Sequence, residues 1–130
     1  MIALDTSAIA AIAFAEPQAE GFAEIIGSET SFIGWPTVLE CYMVLQSVPL
    51  RRGLDVLDFV LGAPRLRIVP FNERLFEQAR LAFDRFGRGR HRAKLNFGDC
   101  MAYAVAKANN LPLLYKGDDF RLTDIRPAVP

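Results

Sequence analysis

Four short apolar runs alternate with helical patterns along this chain, and that order constrains the fold more than any single residue. Residues 2–5, 31–34, 66–69 and 113–115 read as short buried strands. Helical spacing predicts a helix over about residues 7–15. A second follows Pro17, with Ala19, Phe22, Ala23 and Ile26 on one face and Gly27 as its stop. Pro36 stands where a first-turn proline belongs and opens a helix to about residue 48. A short helix near 54–61 is closed by Gly62 and Pro64. Asn72 caps a longer amphipathic helix carrying Leu75, Phe76, Ala79, Ala82, Phe83 and Phe86 on one stripe. Residues 87–96 form a glycine- and arginine-rich loop, and Phe97, Cys100, Met101, Ala104, Val105 and Ala108 mark the last helix. Strand and helix alternating in this way predict an α/β protein, a mostly parallel central sheet of four to five strands with helices on both faces. No repeat, linker or low-complexity block interrupts the 130 residues, so a single domain over 1–130 is expected.

Composition excludes more than it identifies. Hydrophobic residues at 52% and charged residues at 23% are ordinary for a globular domain. Fifteen basic and fifteen acidic residues cancel, so overall charge does not signal nucleic acid. No apolar run approaches the roughly 18–20 residues of a membrane span. The opening residues have neither a basic nor a signal-like apolar region and enter a core strand directly. Cys41 and Cys100 sit in apolar helical patterns without CxxC spacing. A cytoplasmic protein with reduced thiols is therefore expected.

Against this apolar background, a few acids stand out. Asp5 ends the first run, Glu40 is the only charged residue between Glu29 and Arg51, and Asp99 the only one between Lys94 and Lys107. Asp118 and Asp119 follow the last run. A carboxylate among apolar side chains costs roughly several kcal/mol unless something pairs with it. Individually, Asp5 could be a helix cap, Asp99 a first-turn acid and Asp118/Asp119 part of a turn. Glu40 has no such ordinary role. Jointly they lie at strand ends and helix starts, the edge where ligands gather in parallel sheets. Three or four oxygen ligands with a hydroxyl beside the first suit Mg²⁺ or Mn²⁺, and no His/Cys cluster exists for zinc.

Just before Asp99 lies a basic segment: Arg85, Arg88, Arg90, His91, Arg92 and Lys94 fall within ten residues, punctuated by Gly87 and Gly89. Such a run is either a flexible solvated loop or a strip that leads a phosphate backbone toward metal-loaded carboxylates. His91, the only histidine, reads as a solvated or RNA-contacting residue rather than a catalytic one.

The motifs that carry a family resemblance are the opening Ile2-Ala3-Leu4-Asp5-Thr6-Ser7-Ala8, the block Lys94-Leu95-Asn96-Phe97-Gly98-Asp99-Cys100, and Pro112-Leu113-Leu114-Tyr115-Lys116-Gly117-Asp118-Asp119-Phe120 followed by Thr123-Asp124-Ile125. In that order, with a helical Glu between the first two, the chain resembles the PIN-domain ribonucleases, specifically the VapC-type toxins of bacterial toxin–antitoxin pairs. The resemblance implies a Rossmann-like α/β/α sandwich and an endoribonuclease dependent on Mg²⁺, with Mn²⁺ able to substitute. It implies Asp5 and Asp99 as principal metal ligands, Glu40 completing the site directly or through water, and Thr6 or Ser7 as a supporting hydroxyl. The fourth acid is Asp119 by the family pattern, while spacing to the strand end also admits Asp118. Arg88, Arg90, Arg92, Lys94 and Lys116 are the expected RNA contacts. A cognate small antitoxin and a homodimer are the expected partners, with no membrane. The alternatives are a non-catalytic PIN-like RNA-binding module and a receiver-like signalling domain. The latter lacks a phosphoacceptor Asp after the middle strand, which ends Val69-Pro70-Phe71-Asn72.

Overall fold

The computed structural model describes residues 1–130. Strand β1 (Ile2–Leu4) leads into α1 (Thr6–Ala13) and α2 (Ala19–Ser28), then β2 (Ser31–Gly34), α3 (Trp35–Leu45), α4 (Arg52–Leu61) and β3 (Leu66–Val69). Helices α5 (Glu73–Phe86) and α6 (Phe97–Ala108) precede β4 (Leu113–Leu114). The four strands are all parallel, in the order β3-β2-β1-β4. The C-terminal tail adds a parallel bridge between Leu113 and Pro127 at the outer edge of β4. No helix is long and apolar enough to cross a membrane.

The sheet divides the core into two layers by strand alternation. Ile2 and Leu4 of β1 pack with Ile9, Phe22, Cys41, Leu45 and Val60 from α1–α4. Ala3 faces the other way, into a cluster built from α5, α6 and the C-terminal segment around Leu75, Tyr103, Phe120 and Ile125. With β2 on one side of β1 and β4 on the other, the strand order reverses at β1, and the carboxyl ends of β1 and β4 open a crevice there.

Element boundaries depart from the sequence expectation where backbone geometry intervenes. Helix α1 stops at Ala13 because Ala15 turns left-handed at φ 53°. Helix α3 ends at Leu45 rather than residue 48: Pro49 has no N–H to continue the ladder, and a short 3₁₀ turn (Pro49–Arg51) intervenes. Gly53 then allows α4 to start against α3, since a Cβ there would lie 2.2 Å from the Leu45 carbonyl oxygen.

The basic loop is closed by backbone hydrogen bonds, and its cations are exposed to solvent. Leu95 N–H donates to Phe86 O and Arg88 N–H to Leu95 O, each at 3.0 Å, so residues 87 and 95 pair as a bridge. Ala93 and Leu95 are fully buried beneath the cations.

On the second layer, Asp124 ties three elements together. It accepts from Tyr103 Oη at 2.8 Å, Lys107 Nζ at 2.9 Å and Arg85 Nη1 at 3.3 Å. Burial alone would raise its pKa, but the bonds from Lys107 and Tyr103 and the nearby charges of Lys107 and Arg85 hold it below the usual carboxylate range. A folded-state pKa that is lowered contributes stability above the unfolded value, and that stability is lost as pH falls through the folded value. Asp124→Ala is therefore expected to cost about 1–3 kcal/mol at neutral pH, by removing the carboxylate that Lys107, Tyr103 and Arg85 share. Urea unfolding at pH 7 and below pH 3 checks this. A difference from wild type that does not shrink in acid would contradict it.

Candidate active site

Two helix starts and two strand ends supply the acidic site. Asp5 follows β1 and N-caps α1, accepting from Ser7 N at 3.0 Å and from Ser7 Oγ at 2.5 Å, both on Oδ2. The same Ser7 Oγ accepts from Lys116 N–H at 2.9 Å, just beyond β4. One hydroxyl thus joins the carboxyl ends of β1 and β4 and fixes the Asp5 carboxylate between them.

Asp99 occupies the third position of α6, where a capping box holds it. Asn96 Oδ1 accepts from Asp99 N at 2.9 Å, and Asp99 Oδ2 accepts from Asn96 N at 3.0 Å. Glu40, one turn into α3, accepts from the Thr6 hydroxyl on Oε1. Its other oxygen rests against Gly98, where a Cβ would collide with the Glu40 carboxylate. Each of the three carboxylates is therefore held by one oxygen, while Asp5 Oδ1, Asp99 Oδ1 and Glu40 Oε2 have no protein donor.

The last two acids separate clearly. Asp119, at the start of the 3₁₀ turn Phe120–Leu122, adds its field to that of Glu40 at Asp99. Asp118 instead pairs with Arg121 at 3.0 Å, with a side chain 84% exposed. Asp5, Glu40 and Asp99 lie close enough for their charges to act on one another, Asp119 is exposed but acts on Asp99, and Asp118 is exposed and paired with Arg121.

None of the four has a basic ion-pair partner, although nine other ion pairs form in the molecule. Burial pushes the Asp5 carboxyl up to about 7. The Ser7 bonds oppose this shift, and the charges of Asp99 and Glu40 reinforce it. Asp99 is also raised, first by burial and then by Asp119 and Glu40, against the Asn96 N–H and Arg88. Burial and mutual repulsion of this kind are relieved by protonating a carboxyl or by binding a cation. The free oxygens are hard donors suited to Mg²⁺ or Mn²⁺. No three of these side chains are arranged to ligate one metal ion together.

The remaining candidates vary in role. Thr6 and Ser7 orient Glu40 and Asp5 respectively. Arg88, Arg90, Arg92 and Lys94 are exposed on the closed loop, with Arg88 close enough to act on Asp99. Lys116 pairs through its ammonium with Glu16. Burial pushes the Cys41 thiol up to about 12 and the Cys100 thiol to about 11, which leaves neither as a thiolate nucleophile. Sequence reasoning missed Asn96 and Gly98. The Asn-x-x-Asp spacing held the signal for the first, and a glycine in the first turn of a helix held a weaker one for the second.

Comparison with known proteins places this geometry. The PIN domain family matches residues 2–125. A protein named Ribonuclease VapC from Mycolicibacterium smegmatis is 40% identical over 123 residues, 94% of this chain and 95% of that protein. Ribonuclease VapC30 of Mycobacterium tuberculosis is 37% identical over 123 residues, covering 94% of each. In structure, Mycobacterium tuberculosis VapC20, described as a sarcin-ricin loop cleaving toxin, superposes with a TM-score of 0.72 at 19% identity, covering 98% of this chain and 100% of that one. VapBC2 from Rickettsia felis, bound to a DNA fragment from its promoter, gives 0.69 at 21% identity and covers 98% and 97%. At those identities the structural likeness speaks for the fold.

The raised Asp5 pKa has a measurable consequence in metal-free protein. A carboxyl raised from 3.8 to about 7 in the folded state favours folding below pH 4, and that contribution is lost as pH rises through 7. At about 1.4 kcal/mol per pH unit, the loss is on the order of 4 kcal/mol. In EDTA, wild-type thermal stability should fall between pH 4 and pH 8. Asp5→Asn, which keeps the cap, should lose most of that slope and melt higher than wild type at pH 8. Equal slopes in the two proteins would contradict the reading.

Proposed function

The chain belongs to the PIN-domain family, among the VapC ribonucleases, and from that premise we propose that it is a metal-dependent endoribonuclease, the toxin of a toxin–antitoxin pair. The observation that carries this reading is the set of four carboxylates without basic partners at the carboxyl edge of the sheet, each of the inner three held by one oxygen with the other free. Asp5 and Asp99 are the residues to hold Mg²⁺, with Mn²⁺ able to replace it, and Glu40 and Asp119 complete the site through water. A divalent cation in such a site lowers the pKa of water and offsets charge on a phosphoryl group.

The protein's own residues supply the rest. Glu40, fixed by Thr6 and Gly98, is oriented to accept a proton from the attacking water by hydrogen-bond reach. Ser7 keeps Asp5 at the junction of β1 and β4. Arg88 stands nearest the acids and is placed to stabilise negative charge on the reacting phosphate. Arg90, Arg92 and Lys94 extend the cationic surface along the substrate. Lys116, engaged with Glu16, serves the site more through its backbone N–H on Ser7 than as a free RNA contact. In-line attack of water on phosphorus, with departure of the 3′-oxygen, leaves a 5′-phosphate product.

A cognate antitoxin and a second copy of the chain are the proposed protein partners. Trp35, Leu39, Tyr42 and Met43 on α3, with Phe76 and Phe83 on α5, are exposed apolar side chains available for both.

The test is cleavage of structured and unstructured RNAs with Mg²⁺ or Mn²⁺. Asp5→Asn and Asp99→Asn should each lower kcat by roughly 10²-fold or more. Asp119→Asn should cost more than Asp118→Asn, and EDTA should abolish cleavage. A 2′,3′-cyclic phosphate product, or undiminished cleavage by Asp5→Asn, would contradict the proposal.

A further inference from the structure

The loop between α5 and α6 holds cations that the carboxylate chemistry does not explain. Every arginine outside this loop except Arg52 donates to a carboxylate or a backbone carbonyl. Arg88, Arg90 and Arg92 donate to none, and neither they nor Lys94 enters an ion pair. Four like charges in seven residues repel one another, so a chain that merely needed a solvated turn would gain by dispersing them.

The loop instead fixes them in place. Besides the pairing of residues 87 and 95, Arg90 N–H and His91 N–H both donate to Gly87 O, at 2.9 and 3.1 Å, and Lys94 N–H donates to His91 O at 3.0 Å. Gly89 takes φ 84° and Lys94 φ 53°, the left-handed conformations that close the turn. The His91 ring meets Phe86 edge-on with centroids 5.2 Å apart, and its Nδ1 accepts from Ala93 N at 3.0 Å. An accepting Nδ1 leaves the proton of the neutral ring on Nε2, which is a donor. Arg90 stacks over the Phe83 ring at 5.0 Å. Arg88, Gly89, Arg90, His91, Arg92 and Lys94 together line a depression of about 570 Å³. It contains no acidic and no apolar side chain. Of these cations, Arg88 lies near enough for its charge to act on Asp99.

We infer that residues 87–95 form a pre-ordered clamp for backbone phosphate of the RNA strand flanking the cleavage point. The inference rests on the ribonuclease reading. Four cations with no acidic residue among them suit phosphate oxygens, which accept from guanidinium forks and N–H groups alike. The ribonuclease reading favours an RNA strand over an acidic peptide as the source of the anion, and the test below separates the two. Because the backbone bonds and the Phe86 and Phe83 contacts order the donors beforehand, the strand meets them without the entropy cost of arranging a loop.

The test is anisotropy binding of a fluorescent twelve-residue oligouridylate in Mg²⁺ buffer across KCl concentrations. It uses the full chain in an Asp5→Asn background, so that the RNA stays intact. Adding Arg90→Gln/Arg92→Gln should weaken binding about tenfold or more and flatten the log–log salt slope by about 1.4, two contacts at 0.7 each. Arg90→Lys/Arg92→Lys should restore most of the slope. Gly89→Val keeps every cation but strains the turn, and it should lose severalfold in affinity. Arg52→Gln, the other uncommitted arginine, should bind within twofold of the parent. Unchanged affinity and slope in the glutamine variant, no binding by the parent, or tighter binding of an oligoglutamate peptide than of RNA would overturn the clamp. Full affinity in Gly89→Val would overturn its pre-ordering. RNA bound through the loop by a protein whose wild type cleaves nothing would remove the ribonuclease reading and leave the clamp standing.

Discussion

Mutual repulsion among Asp5, Glu40, Asp99 and Asp119 is the constraint around which the rest of the molecule is arranged. Four carboxylates share one sheet edge, Asp5 buried, Glu40 and Asp99 half-buried and Asp119 exposed, and no lysine or arginine neutralises them by contact. The fold keeps them there by committing one oxygen of each inner carboxylate to a local donor: Ser7 for Asp5, Asn96 N–H for Asp99 and Thr6 for Glu40. The same bonds serve folding, since two of them cap helices. Asp5 and Asp99 also sit at helix N-termini, where the macrodipole favours negative charge. Burial first, and then the neighbouring acids, still raise the Asp5 and Asp99 carboxyls.

This arrangement explains small residues that would otherwise look incidental. Gly98 is a glycine because the Glu40 carboxylate occupies the space of its Cβ. Ser7 carries a hydroxyl because a single oxygen must donate to Asp5 and accept from Lys116 N–H. Carboxylates gathered for a cation cost stability in metal-free protein, a common trade between stability and activity. The loop from α5 to α6 is the cationic counterpart: it too concentrates like charges, and it too is secured by backbone hydrogen bonds and buried anchors, here Ala93 and Leu95.

Much of this was legible in the sequence because its cues are local or periodic. The strand and helix order followed from apolar spacing, and the switch point at β1 follows from that order. Asp5, Glu40 and Asp99 stood out because each interrupts a buried pattern. Between Asp118 and Asp119 the family pattern pointed to Asp119 while spacing admitted both, because adjacent residues differ only in which way a turn aims them; Asp118 pairs with Arg121. The order of the loop over 87–95 was less legible: its composition shows the exposed cations, but the pairing of residues 87 and 95 and the apolar anchors between the arginines appear only in the fold. Gly98 could not be understood without knowing that α3 brings Glu40 beside α6.

The central claim is that these carboxylates serve one divalent cation. Anomalous diffraction from a crystal of the protein soaked in Mn²⁺ tests it most directly. A manganese peak is expected in contact with Asp5 and Asp99, with Glu40 and Asp119 around its waters. A peak bound elsewhere, or none at saturating Mn²⁺ in protein that still cleaves RNA, would contradict it.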